Sequence, residues 1–203
     1  VNFTTATTTT LRITSANCTI RNLLFTNGID SQAMMIDVRA KDFEISGCDF
    51  REGASSQNLI AVNVGNAAND SDRAVIAGNK FYCPTAGPDS AIKLAKVQDR
   101  VTISDNWIYG DFSDAGIHNP TGNICTKLTI AGNVVRNLQT GDHAIEIVSA
   151  CDGICIGNML FGDTLGTILD PGSLLCAGNM EQDAIDEAGV NTPRVRNPDE
   201  SLK

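Results

Sequence analysis

A chain of 203 residues with 42% apolar and 19% charged content can bury a real core as one domain, or as two small ones, which argues against disorder and against any need for disulfide or metal staples. Its 24 Asp and Glu outweigh 15 Lys and Arg to give a net charge of −9 with no basic cluster, so it is read as binding no nucleic acid phosphate, while neutral glycans, divalent cations and protein partners stay compatible with it. No apolar run approaches the roughly 18 residues of a membrane span, and seven Cys fit neither a CxxC zinc pattern nor a dense disulfide framework, so most read as small buried hydrophobes.

The chain opens Val1-Asn2-Phe3 without Met and reads as a processed chain or part of a longer one. Its first stretch, "VNFTTATTTTLRI", is Thr-rich and β-branched, which predicts extended strand in a first rung, with 1–10 as an edge segment. From 11 to 180 one short phrase recurs: "CTIRNLLF", "FEISGCDF", "AVIAGNKF", "VTISDNWI", "LTIAGNVV", "ICIGNMLF" and "LLCAGNME". Its anchors are Ile20, Ile45, Ile76, Ile103, Ile130, Ile156 and Cys176, separated by 25, 31, 27, 27, 26 and 20 residues, with no helical periodicity between them. A second phrase alternates with the first and points Ile36, Val62, Ile92, Ile117, Ile145 and Ile168 inward. Such a unit cannot bury its apolar face alone. Stacking successive units about 4.8 Å apart buries it and pairs the backbone of each short strand. The prediction is an all-β chain wound as a single-stranded right-handed parallel β-helix of about six to seven rungs. Residues 181–203, with two Pro and many charges, read as a polar tail lying on a neighbour or on the last rung, with simple disorder as the alternative.

An Asn, or its substitute, recurs just after each anchor: Asn22, Cys48, Asn79, Asn106, Asn133, Asn158 and Asn179. Asn tolerates the left-handed conformation of a sharp bend, and its amide can bond the next Asn up a stack, so the column is expected to be a structural ladder, with Asn22 and Asn158 reached by deletion of one residue. A row of sugar-binding amides is the functional alternative.

The Ile-x-x-Asn bends, paired short strands and irregular period resemble the right-handed parallel β-helix proteins of the pectate-lyase-like superfamily, over about residues 11 to 180. Within it, "LRITSANCTIRNLLFTNGID" is similar to β-helix proteins of tailed bacteriophages, some of which are tail or surface components of virions. That resemblance implies a virion-surface location, assembly as a homotrimer with other virion proteins, and contact with a host surface glycan. "TGDHAIEI", 140–147, loosely resembles the acidic strand start of polygalacturonase-type hydrolases, but the second Asp of that family is His143 here, and its other motifs and the pectate-lyase arginine patterns are missing. Neither family's active site carries over.

Chemistry is expected on two outward columns. Alternation turns Asp37, Asn63, Lys93, His118, Glu146 and Leu169 outward, one per rung, so that Lys93, His118 and Glu146 become stacked neighbours fit for proton transfer or sugar contact. The bland alternative is a solvated face of alternating charge. Three residues before the inward column stand Asp89, Asp114 and Asp142. Carboxylates at rung spacing repel unless a cation or shared proton intervenes, which suits Ca2+ as the single cofactor considered, or a retaining glycosidase pair of Asp114 and Asp142. The alternative is that each Asp begins its turn. Functionally the first expectation is a non-enzymatic spike, fibre or decoration protein. The second is a polysaccharide hydrolase using Asp114 and Asp142, or a lyase with Lys93 or His118 as base and Glu146 beside it. A glycan-holding adhesin lies between them.

Overall fold

The computed structural model describes residues 1–4, 10–53, 57–183 and 194–196. Among these every regular element is a strand, and three sheets run the length of a parallel β-solenoid of about six turns. The anchor sheet contains Thr19–Arg21, Glu44–Ser46, Val75–Ala77, Thr102–Ser104, Leu128–Ala131, Gly153–Ile156 and Leu175–Ala177. After a two-residue turn the chain enters the aromatic sheet: Leu24–Asn27, Asp49–Glu52, Lys80–Cys83, Trp107–Gly110, Val134–Asn137, Met159–Gly162 and Asn179–Asp183, with the last joined to its anchor strand by Gly178 alone. Longer loops then lead to the ionic sheet: Leu11–Ile13, Gln32–Val38, Asn58–Val64, Ser90–Leu94, Ala115–Asn119, His143–Ile147 and Leu169–Asp170.

Apolar residues lie over one another in register. Ile20, Ile45, Ile76, Ile103, Ile130, Cys155 and Cys176 form the anchor column. The sixth anchor is therefore Cys155 rather than Ile156, because "ICI" offers two Ile flanking a Cys and the small thiol takes the interior place. On the aromatic sheet Phe25, Phe50 and Phe81 stack inside with centroids 4.8 and 4.7 Å apart, and Ile108, Val135 and Leu160 continue the column. These side chains are fully buried, so truncating one to Ala costs about 2–5 kcal/mol.

The ends differ from the middle. Asn2–Phe3 pairs with Thr26 and Asn27, inside the predicted edge segment, whose residues 5–9 lie outside the described part. At the other end Asn179–Asp183 runs past the expected boundary at 180, and Arg194–Arg196 pairs with it antiparallel, so this part of the tail lies on the last rung. Residues 184–193 and 197–203 lie outside the described part.

Two corners position everything else. Between anchor and aromatic strands, the residue two after each anchor is left-handed: Asn22, Gly47, Gly78, Asp105, Gly132, Gly157 and Gly178 have φ between 55° and 64°. The next residue is Leu23, Cys48, Asn79, Asn106, Asn133, Asn158 or Asn179. Asn22 thus belongs to the left-handed column and stands outside the ladder, and Asn158 falls three after Cys155 with nothing deleted. The bend is made by the residue before the ladder Asn, which is free to use its amide. Nδ2 of Asn79, Asn106, Asn133 and Asn158 donates to Oδ1 of the next Asn at 3.0, 3.0, 3.0 and 2.9 Å. The same Oδ1 accepts the backbone N–H of the Asn before it, and the second Nδ2 hydrogen goes to an anchor-sheet carbonyl, as from Asn133 to Ile103 O at 3.0 Å. Cys48 brings only its N–H, donated to Asn79 Oδ1 at 2.9 Å.

The corner between aromatic and ionic sheets is irregular. Its loops run four to six residues, and the inner column reads Asn27, Glu52, Cys83, Gly110, Asn137. Asn137 is satisfied, accepting from Phe112 N–H at 3.0 Å and donating to Phe112 O and His143 O at 3.0 and 2.9 Å. Asn27 Nδ2, Glu52 Oε1, Asp111 Oδ1 and both amide atoms of Asn58 are buried with no hydrogen bond among the described residues. Burial lifts Glu52 to about pH 7 against the pull of the Thr85 and Asn58 N–H groups, with Asp111 adding a smaller push upward.

Candidate functional site

The ionic sheet bends outward-concave. Buried residues occur in consecutive pairs, Ala61–Val62, Ala91–Ile92 and Ala144–Ile145, with Gly116–Ile117 at the same level. Gly116 has no room for a side chain: a Cβ there would meet Val135 Cγ1 at 2.6 Å, inside the core. Two successive inward residues curl the strand, so outward groups four positions apart converge. An extended strand would hold such residues about 13 Å apart, yet Lys93 Nζ lies 3.9 Å from Asp89 and His118 Nδ1 lies 3.0 Å from Asp114.

The register places Arg12, Asp37, Asn63, Lys93, His118, Glu146 and Asp170 in one outward column. Its last member is Asp170, not Leu169. Leu169 pairs with Ile145 on the inner side and is buried, because Ile168 and Leu169 repeat the double inward step that strict alternation does not allow for. At the top, buried Asp37 meets Arg39 at 2.6 Å and Arg12 at 3.4 Å, and Asn63 Nδ2 donates to it at 3.2 Å.

Below, the predicted residues meet across rungs. Lys93 Nζ reaches Asp114 at 3.0 Å as well as Asp89, so a lysine ammonium stands between the two carboxylates for which Ca2+ was one alternative. His118, only 7% exposed, lies between Asp114 and Glu146, with Nε2 3.2 Å from Glu146 Oε2. His143 Nδ1 approaches the other Glu146 oxygen at 3.5 Å. Asp142 has no ion pair or hydrogen bond among the described residues; burial raises its pKa, as it does those of Asp89 and Glu146. The three predicted metal aspartates therefore do not form one shell. Donor atoms of His143, Glu146 and Asp170 instead gather within 4.8 Å of one another.

Two carboxylates at about 3 Å ordinarily hold an imidazole protonated. Here burial prevails, with Lys93 helping it, and the His118 pKa falls below its usual value although Asp114 pulls it up. The buried Nδ1 makes no well-aligned hydrogen bond to Asp114, which weakens that pull. The His118 imidazole thus touches a carboxyl whose pKa is raised by burial, against the pull of His143 and with crowding from Asp170, Asp114 and Asp142 adding to it, so the two groups are shifted toward each other.

A second surface feature was not anticipated from the sequence. Outward positions of the aromatic sheet carry Lys80 and Tyr82 on one rung, Trp107 and Tyr109 on the next, Val134 and Arg136 on the third. The three rings are within 12° of parallel, with centroids 5.5 Å apart for Tyr82–Tyr109, 5.8 Å for Trp107–Tyr109 and 6.5 Å for Tyr82–Trp107. Arg136 lies over Tyr109 at 5.7 Å. Asp49, Arg51, Lys80, Tyr82 and Trp107 line a recess of about 280 Å³. The signal was available: these residues follow the ladder asparagines by one and three positions, so once Asn79 and Asn106 are stacked their rings must be neighbours.

Cys151 and Cys155, four positions apart, are held apart by the fold: Cys155 sits in the anchor column, while Cys151 accepts the Cys125 N–H at 3.1 Å on another corner, and no disulfide is formed among the described residues.

Compared with protein-family models, with curated proteins and with solved structures, the chain finds no match.

Proposed function

We propose that the chain is a non-enzymatic structural component of a virion surface, a spike, fibre or decoration element of a tailed bacteriophage that assembles as a homotrimer. The observation that carries this reading is the unbroken vertical continuity of the coil. Anchor residues, the phenylalanine column and the satisfied amide column all run rung on rung, which makes a stiff rod that needs no ligand to hold its shape. Much of its ionic face is neutralised internally, Lys93 by Asp114 and Asp37 by two arginines. Mass measurement of the isolated chain and proteomics of purified particles test it. A trimer found on particles is the expected result, and a monomer missing from them ends the reading.

A second reading, glycan cleavage or binding on the ionic face, is favoured by one contact, that of His118 with Asp114 and Glu146. There His118 would remove a proton or Glu146 supply one, while Asp142, being unpaired, is the remaining carboxyl open to substrate. Depolymerisation of a host surface polysaccharide that vanishes in both Glu146→Gln and His118→Ala supports this reading, and equal activity in both variants removes it.

A further inference from the structure

The ionic face and the rod account for neither the exposed rings nor the recess beside them. In a chain with only ten aromatic residues, three are placed outward on two adjacent rungs, and Tyr82 and Trp107 remain 44% and 40% exposed. Nothing in the fold requires this. The inward positions of the same strands already carry the core, and the equivalent outward positions on neighbouring rungs hold Asp49, Arg51, Val134 and Arg136. Parallel, rigid, half-exposed rings present apolar faces with polar rims, a surface that suits a ligand with one apolar face and hydroxyls at its edge.

The charge around the rings narrows the ligand. The protein carries −9 overall, yet Arg51, Lys80 and Arg136 surround this patch against a single carboxylate, Asp49. Arg51 is paired with Asp49 at 2.6 Å, and Arg136 is spread over the Tyr109 ring. Lys80 has no ion pair among the described residues and lines the recess directly beneath Trp107 in the register. A cation held free beside an apolar ring face is complementary to a pyranose that bears a carboxylate. The recess of about 280 Å³ accommodates one such ring, close to the lower bound of ligand pockets.

We propose that the outward face of the aromatic sheet is a binding site for an acidic glycan, with one carboxylate-bearing pyranose stacked on Trp107 and Tyr82 and its carboxylate on Lys80. Arg136, one rung farther, extends the site toward the next sugar. This site is independent of whether the ionic face is catalytic and of where the rod is mounted, so its failure and the failure of the rod reading are separately visible.

Trp107 is the only tryptophan, so its fluorescence reports on this site alone. The full chain is titrated with a uronic-acid oligosaccharide, with the same oligosaccharide as its methyl ester, and with a neutral oligosaccharide of equal length. A saturable emission change with the acid, weakened about tenfold or more by esterification and by Lys80→Ala and reduced by raised salt, is the expected result. Calorimetry on Trp107→Ala, whose exposed position leaves the core intact, is expected to lose the binding heat. The proposal is overturned if the acid produces no change at millimolar concentration. It is equally overturned if ester and acid bind alike, or if Trp107→Ala binds the acid undiminished.

Discussion

The same chain turns three corners on every rung and treats two of them in opposite ways. Between anchor and aromatic sheets the turn keeps nearly the same length, a left-handed residue followed in the later rungs by Asn, and the amides form one satisfied column. Between aromatic and ionic sheets the loops vary from four to six residues, the column is mixed, and Glu52, Asn58 and Asp111 keep buried atoms without hydrogen-bond partners among the described residues. A ladder needs identical geometry on each rung, because every amide is positioned by the one before it. Where loop length varies no ladder can form, and polar groups must be satisfied one by one. The variable loops also lead into the ionic strands, so chemical variety collects where loop length changes from rung to rung.

The largest effect is expected where regularity is greatest. Asn133→Ala leaves two N–H groups of Asn106 and the Ile103 carbonyl without their partner, and takes from Asn158 Oδ1 one of its two donors. It should cost about 3–5 kcal/mol in urea unfolding, since each buried group left open costs about 1–3 kcal/mol; a loss under about 1 kcal/mol would erase the distinction between the corners.

The irregular corner should answer to pH instead. Glu52 has a folded pKa of about 7, above its ordinary 4.5. Its contribution is therefore full below about pH 4.5 and is lost as pH rises through about 7, by up to about 3 kcal/mol before solvent screening reduces it. Glu52→Gln should flatten the stability profile in that window, and thermal melts from pH 4 to 8 measure it.

His118 has the opposite sign. Its pKa is lowered, so its contribution is complete above about 6.5 and declines as pH falls through the folded value. With only two histidines in the chain, a proton NMR titration should show His118 titrating below the ordinary imidazole range. The smallest effect belongs to the half-buried lysine of the ionic face: Lys93→Gln should lose about 1 kcal/mol or less at low salt, with the difference shrinking as salt is added.

The sequence made the regular corner legible and the irregular one nearly illegible, for the same reason. A turn of constant length fixes the phase between Ile and Asn, so Ile45, Ile76, Ile103 and Ile130 could be stacked by inspection. The phase slipped where two apolar residues competed for one inward place, at Cys155 against Ile156 and at Leu169 against Ile168. Asn22 was misplaced because Asn serves equally well as a left-handed residue and as a ladder amide, and Leu23 beside it gave no contrary sign. On the ionic face the outward column from Asp37 to Glu146 followed from alternation, but the concave bend that brings Asp89 to Lys93 and Asp114 to His118 depends on paired inward residues. The aromatic shelf was hidden for another reason: Tyr82 and Trp107 are 25 positions apart and become neighbours only through the coil.

The amide column has a beginning, and it is a thiol. Cys48 donates its backbone N–H to Asn79 but has no carboxamide to accept one from the rung before, and Leu23 on that rung has none either. The first coils are therefore joined by strand pairing, apolar contact and ion pairs such as Arg21–Glu44, while the coils from Asn79 onward are also laced through this corner. The coils before Asn79 should thus open more readily than those after it, with amide hydrogens around Ile20 and Ile45 exchanging with solvent well before those around Ile103 and Ile130.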